Sequence, residues 1–251
     1  MRPRVIPVLL LCDRQLYKTV RFKNPKYIGD PRVAVKIFND RGCDELVLLD
    51  ISATPQRREP DYELIEEIVT ESFMPVAYGG GINSPEQAMR IFKQGVEKIV
   101  LNTHAIGRPK LIREIADLAG SSSTVVAIDV GSDWRKRRRV FSGCGRLATA
   151  LKPVEWAKQA VDLGAGEIIV NSIDRDGTMT GYELPLISEI AAEVEVPVIA
   201  LGGARSAADF RKAVESGAAA AAAGSCFVFQ GPHRAVLINY PDDAALNAVF
   251  A

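Results

Sequence analysis

Short apolar runs alternate with amphipathic segments along the whole chain. The apolar runs have the length of buried strands, and the segments between them repeat their apolar residues at the spacing of helices that bury one face. Strands are predicted at residues 5–11, 46–51, 74–78, 98–102, 124–129, 167–172, 197–201 and 219–224. Helices are predicted near residues 31–41, 61–71, 84–94, 109–118, 153–163, 183–193 and 206–216. The pattern therefore predicts strands and helices in alternation.

Strands that are apolar throughout are typical of a parallel sheet covered by helices. Eight strand–helix units in 251 residues predict a (β/α)8 barrel, formed as one domain over residues 1–251. An open, doubly wound sheet is the alternative, but no G-x-G-x-x-G motif follows the first strand. The eighth helix is the weakest, because Gly231-Pro232 and Pro241 leave only residues 233–240 for it.

The two halves of the chain resemble each other at a shift of about 120 residues. The aligned segments are 44–47 with 166–169, 80–81 with 202–203, and 102–103 with 224–225. Because one shift relates three separate features, we predict a duplicated half-barrel with twofold pseudo-symmetry.

Charge and hydropathy exclude several function classes. Lys and Arg together number 31, as do Asp and Glu, so the net charge is zero and non-specific nucleic-acid binding is disfavoured. No apolar run reaches the length of a membrane-spanning helix. The first run, 5–11, is too short for a signal peptide and no cleavage site follows it. We therefore predict a cytoplasmic protein with neither a membrane nor a nucleic-acid partner.

The cysteines offer no metal or redox motif. They are scattered, without a C-x-x-C pair or a histidine at zinc-ligand spacing. The four are Cys12, Cys43, Cys144 and Cys226. We interpret them as reduced thiols and predict neither a metal site nor a cofactor.

Glycine pairs at the ends of predicted strands are candidates for phosphate binding. Gly80-Gly81 follows the third strand and Asn102-Thr103 the fourth, and Gly202-Gly203 and Gly224-Ser225 repeat them in the second half. Glycine lets backbone N–H groups approach an anion closely. A single glycine pair is more often a tight turn. Two symmetric sets predict a ligand with two phosphates.

Asp129 is the candidate acid or base between the two sets, because it ends the fifth strand. Its counterpart in the first strand is Leu10, so only one of two symmetric carboxylates is present. Residues 172–178 add further polar groups, including Asp174, although an Asx-turn with solvated charges also explains them. The basic run 135–139 is interpreted as a solvated hairpin.

Four charged residues of alternating sign open strands at the opposite, N-terminal end of the barrel. These residues, the charged ring, are Arg4, Glu45, Lys98 and Glu167. A structural ring of salt bridges is one interpretation. The other is a gate over a passage along the barrel axis.

These motifs together resemble, essentially end to end, the cyclase subunit of imidazole glycerol phosphate synthase. The resemblance depends on residues 44–51, 79–82, 102–103, 127–129, 164–168 and 172–178. It implies a (β/α)8 barrel of the lyase type that receives ammonia from a glutaminase partner docked on its N-terminal face. It also implies that the charged ring gates the ammonia passage, and that a bis-phosphorylated ribonucleotide derivative is cleaved and cyclised at the other end.

The resemblance also implies roles for individual residues. A first cradle for phosphate comprises Gly81, Asn102 and Thr103. A second cradle comprises Asp176, Gly177, Gly203, Gly224 and Ser225. Of the family's two catalytic aspartates, one corresponds to Asp129 and the other to Leu10. Because leucine cannot transfer a proton, paired acid–base cyclisation should be impaired.

Three functions remain open. Residues 9–11, 18–27 and 233–241 resemble a paralogous branch associated with sugar amidation in surface-polysaccharide biosynthesis, and this is the function we favour. The second is a genuine histidine-pathway cyclase in which Asp174 or Asp13 replaces the missing carboxylate. The third is a catalytically silent barrel that only activates its partner and channels ammonia.

Overall fold

The computed structural model describes residues 2–251, which form fourteen strands and ten α-helices. The strands are β1 (Arg4–Cys12), β2 (Gln15–Val20), β3 (Lys23–Gly29), β4 (Leu46–Asp50), β5 (Val76–Gly79), β6 (Lys98–Leu101), β7 (Thr124–Ser132), β8 (Arg138–Ser142), β9 (Leu147–Ala148), β10 (Glu167–Ser172), β11 (Val198–Leu201), β12 (Ala220–Ala223), β13 (Phe229–Gln230) and β14 (Ala235–Val236). The helices are α1 (Pro31–Asp40), α2 (Tyr62–Thr70), α3 (Pro85–Lys93), α4 (Thr103–Gly107), α5 (Lys110–Ala119), α6 (Pro153–Asp162), α7 (Leu184–Ala191), α8 (Ala207–Glu215), α9 (Ser225–Val228) and α10 (Asp243–Phe250).

Eight of the strands close into a parallel barrel. Their order around the barrel is β1, β4, β5, β6, β7, β10, β11 and β12. Closure is complete because β10 pairs with β7 and β12 pairs with β1, both in parallel. Each barrel strand coincides with one of the predicted apolar runs. The predicted (β/α)8 barrel is therefore confirmed.

Several helices begin where the sequence supplies a capping side chain. Asp30 accepts a hydrogen bond from the Arg32 N–H at the start of α1, and Ser84 accepts one from the Gln87 N–H at the start of α3. Proline occupies the first turn of both helices, where its missing N–H costs no hydrogen bond. The helices bury one face against the outside of the barrel, so their start points set where each following strand enters.

The inward-facing side chains form one row along each barrel strand, because successive side chains of a strand alternate between its two faces. The rows of β1, β6 and β10 are Arg4–Ile6–Val8–Leu10, Lys98–Val100–Asn102 and Glu167–Ile169–Asn171. Each row begins with a charged residue, continues with an apolar residue, and ends at the pocket described below. Between its two ends the barrel interior is an apolar cluster that includes Val47, Ile199 and Ala222.

Three antiparallel hairpins extend the barrel, and only the one at the basic run was predicted from the sequence. β2 and β3 fold back from β1, and β8 pairs with β7 to form the hairpin expected for the basic run, with Arg135 and Lys136 exposed at its tip. The predicted helix at 233–240 is wrong. Gly231 and Arg234 adopt left-handed φ angles of 72° and 50°, which turn the chain into the β13–β14 hairpin, and the last helix is α10, which begins after Asp242.

No helix within residues 2–251 is long and apolar enough to cross a membrane.

Candidate active site at the carboxyl ends of the barrel strands

A cavity of about 880 Å³ opens at the carboxyl ends of the barrel strands. This is the end at which (β/α)8 barrels carry their active sites. Its floor is formed by the last inward-facing residues of the strand rows, which include Leu10, Leu49, Asn102, Asp129, Asn171 and Leu201. The floor thus combines three polar side chains with three leucines.

Asp129 is the central polar group of this floor. Asn102 Nδ2 donates to one carboxylate oxygen at 2.8 Å, and Asn171 Nδ2 donates to the other at 3.1 Å. Burial raises the pKa of Asp129 to about 7, the charge of Asp176 adds to the rise, and the two asparagine hydrogen bonds oppose it. A carboxyl group with this pKa can both accept and donate a proton near neutral pH.

Leu10 lies across the barrel from Asp129. Its strand, β1, is four strands away from β7 in the closed order of eight. Both side chains line the cavity, and Leu10 packs against the apolar cluster of the barrel interior. The side chain that faces Asp129 across the cavity is therefore apolar.

Asp174 and Asp13 do not line this cavity. Asp174 is exposed and accepts hydrogen bonds from Ser132 Oγ at 2.8 Å and Ser132 N–H at 3.2 Å. Asp13 is also exposed and accepts from Gln56 Nε2 at 3.1 Å. Their placement gives no support to either residue as a substitute for the missing carboxylate.

Besides Asp129, two carboxylates line the cavity, and both are already bonded. Asp50 accepts from Ser52 Oγ at 2.7 Å and from the N–H groups of Ser52 and Ala53. Asp176 forms a buried ion pair with Lys18, whose Nζ lies 2.9 Å from Asp176 Oδ1. Each would have to give up these partners before it could act as an acid or base.

The first cradle lies at the ends of β5 and β6, and all three of its residues line the cavity. Gly81 has a φ of 74°, which glycine adopts without strain. Its N–H group donates to Thr54 Oγ1 at 3.3 Å, and Thr103 Oγ1 accepts from the Gly143 N–H at 3.0 Å. Two of its polar groups therefore already have partners within the protein.

The second cradle lies at the ends of β10, β11 and β12. A side chain could not replace glycine at Gly177 or Gly203, because a Cβ atom would lie 2.2 Å from Thr19 O or 2.3 Å from Gly181 O. Asp176 and Gly224 line the cavity, and the β2–β3 hairpin covers Gly177 through Thr19. Chain segments distant in sequence thus converge on this cradle.

The charged ring is closed at the opposite end of the barrel. Lys98 Nζ contacts Glu45 at 3.2 Å and Glu167 at 2.9 Å. Arg4 bonds the same two carboxylates, with 2.6 Å to Glu167 Oε1. Each cation therefore bridges both anions, and the four side chains form a continuous loop. Because they begin the inward-facing rows, this loop lies below the apolar interior and the cavity floor.

Lys18 and Asn171 were not among the predicted site residues. Asn171 could have been predicted from the alternation of side chains along β10, because every second residue from Glu167 faces inward. Lys18 gave no such signal, because it lies on a hairpin that no apolar run marks. Within residues 2–251, no three histidine, cysteine, aspartate or glutamate side chains are arranged to hold a metal ion.

Replacing Asp129 with asparagine should change how stability depends on pH. The folded protein holds the Asp129 proton up to a pKa of about 7, whereas the unfolded chain releases it near pH 4. Ionising this half-buried carboxyl therefore costs stability as pH rises through this window, and asparagine avoids the cost. Because Asp129 is only half-buried, we expect the variant to gain on the order of 2 kcal/mol relative to the wild type between pH 5 and pH 8.

Denaturant unfolding at pH 5 and pH 8 measures this change. Asp117→Asn, at an exposed aspartate, is the matched control and should show no pH-dependent difference from the wild type. An Asp129→Asn difference that is equal at the two pH values would mean that Asp129 is ionised throughout.

A closed parallel barrel with its polar cavity at the carboxyl ends of the strands is the architecture of the (β/α)8 enzymes. Residues 4–233 match the model of the family described as histidine biosynthesis protein. The chain therefore belongs to that family.

Individual relatives refine this assignment. A Pseudomonas aeruginosa protein, provisionally named imidazole glycerol phosphate synthase subunit hisF2, is 52% identical over 243 residues, covering 96% of this chain and 97% of the relative. A Leptospira borgpetersenii protein, provisionally named subunit HisF, is 48% identical over 252 residues, covering 100% and 99%. Imidazole glycerol phosphate synthase subunit HisF of Exiguobacterium sibiricum is 42% identical over 227 residues, covering 89% and 90%. The chain is thus similar to the HisF cyclase subunit of that synthase.

Proposed function

We propose that this cytoplasmic barrel takes ammonia from a glutaminase subunit docked on its N-terminal face and delivers it to a phosphorylated substrate in the cavity. We further propose that it acts in sugar amidation for surface-polysaccharide biosynthesis rather than in histidine synthesis. One observation carries the second proposal: the side chain across the barrel from Asp129 is Leu10. A reaction that needs two facing acid–base groups has only one of them here.

The alignment of the charged ring with the cavity supports the ammonia route. Ammonia is small and uncharged, so it can cross an apolar interior that excludes ions. The walls between the ring and Asp129 offer no group that would protonate it. A closed ring of ion pairs at the entrance would keep water and cations out, and would have to part transiently for each ammonia molecule.

A genuine cyclase of histidine biosynthesis is the second candidate. It is favoured by Asp129, whose pKa of about 7 suits proton transfer, and by the retention of both cradles. It would require Asp50 or Asp176 to leave its present partners and replace the absent carboxylate. A silent activating subunit, the third candidate, would need no chemistry in the cavity at all.

Mixing the barrel with a purified glutaminase subunit from the same organism tests the proposed docking. Glutamine hydrolysis should rise about tenfold or more, the usual range of coupling between sites. Two exposed aromatic residues locate the surface involved. Phe73, 93% exposed on the loop before β5, lies at the N-terminal end of the barrel. Trp134, 82% exposed, lies at the tip of the hairpin that extends from the carboxyl end of β7.

Phe73→Glu should weaken the stimulation, because a glutamate in a docked interface would be buried without a partner. Trp134→Glu is the matched control and should leave the stimulation unchanged. The opposite pattern would place the partner at the cavity end and would contradict the proposed route. If the wild-type barrel does not stimulate glutamine hydrolysis, the proposed pairing of the barrel with a glutaminase subunit is contradicted.

A further inference from the structure

The β13–β14 hairpin brings an arginine to the second cradle. Arg234 Nη2 donates to Gly177 O at 3.0 Å and lies 3.5 Å from Ser225 Oγ. Its guanidinium carbon lies 4.7 Å from the centre of the Phe229 ring, which fixes the plane of the group. Arg234 therefore contacts two of the five cradle residues, although it was not among the predicted site residues.

The charge of Arg234 is not neutralised by the protein. Within residues 2–251, no carboxylate lies at ion-pair distance from Arg234, nor from Lys26, which donates to Arg234 O at 2.9 Å. The carboxylate of the cradle itself, Asp176, is already paired with Lys18. The cradle and its surroundings therefore carry an excess of positive charge, which an anion would balance.

Free backbone donors are found in the same place. Among residues 2–251, the N–H groups of Gly177, Gly203 and Ser225 donate no hydrogen bond to the protein. The Ser225 side chain is buried, and the preceding residue, Gly224, lines the cavity. A tetrahedral anion at the cavity edge could thus bond both the free N–H groups and the guanidinium. In the first cradle the Thr103 N–H is also free within residues 2–251, but the Gly81 N–H donates to Thr54 Oγ1.

We propose that Arg234 binds the substrate's phosphate in the second cradle and that this cradle holds the more strongly bound of its two phosphate groups. The planar guanidinium would present two parallel N–H donors to two phosphate oxygens. The Gly177 carbonyl would keep a third donor and hold the side chain in place. The proposal deepens the proposed function, because it rests on a phosphorylated substrate in this cavity.

Inorganic phosphate added to ¹⁵N-labelled barrel, without any partner, tests the assignment directly by NMR. The amide signals of Gly177, Gly203 and Ser225 should shift saturably. Arg234→Gln should weaken the apparent affinity about tenfold or more, since it removes a charge-assisted pair. Arg234→Lys should recover only part of the loss, because lysine keeps the charge without the planar fork.

Arg113→Gln is the matched control, because Arg113 also donates to a backbone carbonyl, that of Asp162, but lies on the exposed surface away from the cavity. It should leave phosphate binding unchanged. Equal affinity in Arg234→Gln and the wild type, with the rest of the spectrum preserved, would overturn the role of Arg234. Saturable shifts confined to amide signals of the first cradle would overturn the proposal that the second cradle binds phosphate more strongly.

This experiment separates the two proposals. Phosphate binding is measured on the barrel alone, so a failure of glutaminase stimulation would leave the Arg234 result standing. Conversely, the barrel could receive ammonia even if Arg234 made no contact with phosphate.

Discussion

Lys98→Met should uncouple glutamine hydrolysis from ammonia transfer. Lys98 bridges Glu45 and Glu167, at 3.2 and 2.9 Å, and closes one side of the charged ring. Methionine keeps the apolar stem but removes the ammonium group, so two nearly buried carboxylates would share Arg4 alone. We expect the ring to open on this side and to admit water and cations, and the ammonia to escape or become protonated before it reaches the cavity.

The expected result is a fall of about tenfold or more in the fraction of glutamine nitrogen that reaches product, while glutamine hydrolysis continues. The assay supplies ¹⁵N-amide glutamine and unlabelled ammonium to the barrel, the proposed glutaminase partner and the amidotransferase that the proposed sugar amidation would require. The variant should also lose about 2–4 kcal/mol of stability, because it breaks a partly buried ion-pair network.

Lys152→Met is the matched control for this variant. Lys152 pairs with Glu155 at 2.7 Å, but both side chains are about two-thirds exposed, and the pair contributes little. Its variant should keep both coupling and stability. Unchanged coupling in Lys98→Met, at temperatures where it is folded, would mean that the ring is only a structural plug.

Leu10→Asp should give the barrel measurable cyclase activity on the bis-phosphorylated ribonucleotide of histidine synthesis. The change places a carboxylate across the cavity floor from Asp129, at the position to which the resemblance assigns a second catalytic aspartate. One positioned acid or base accelerates a reaction by about 10²- to 10⁴-fold. We therefore expect turnover, in high ammonium and without a partner, to rise at least about a hundredfold above the wild type.

Leu49→Asp is the control for the mere addition of charge. Leu49 pairs in register with Leu10 and lines the same cavity, so its variant buries a similar carboxylate one strand away. It should not gain activity. If Leu10→Asp also gains no cyclase activity while the ribonucleotide still binds, Leu10 alone does not account for the absence of that activity. Other parts of the cavity must then differ from those of a cyclase.

The barrel and the charged ring could be predicted from the sequence because both follow from strand periodicity. Eight apolar runs with helices between them leave few alternatives to a closed parallel sheet. Charged residues that begin inward-facing rows, such as Arg4 and Glu167, then must meet at one end of the barrel. At these positions the periodicity of the strand sequence and the location of the side chain in the folded barrel lead to the same prediction.

The β2–β3 and β13–β14 hairpins could not be predicted, because their strands are held by contacts with distant segments. β3 is largely exposed, so it carries no apolar run, and Lys18 on β2 is fixed by Asp176 from the other half of the chain. Residues 233–240 have turn-forming neighbours on both sides, and only the structure shows that they bring Arg234 to the second cradle. Asp174 illustrates the same limit, because loop composition does not determine which way a side chain points.

The measurement that tests the account most directly is turnover of the histidine-pathway ribonucleotide by the purified wild-type barrel in high ammonium, with no glutaminase present. With Leu10 facing Asp129, we predict that the ribonucleotide binds in the two cradles and that turnover stays far below the rate of a typical enzyme. Turnover at the rate of a typical enzyme, on the order of 1 per second or faster, would contradict this prediction and would identify the protein as a working cyclase.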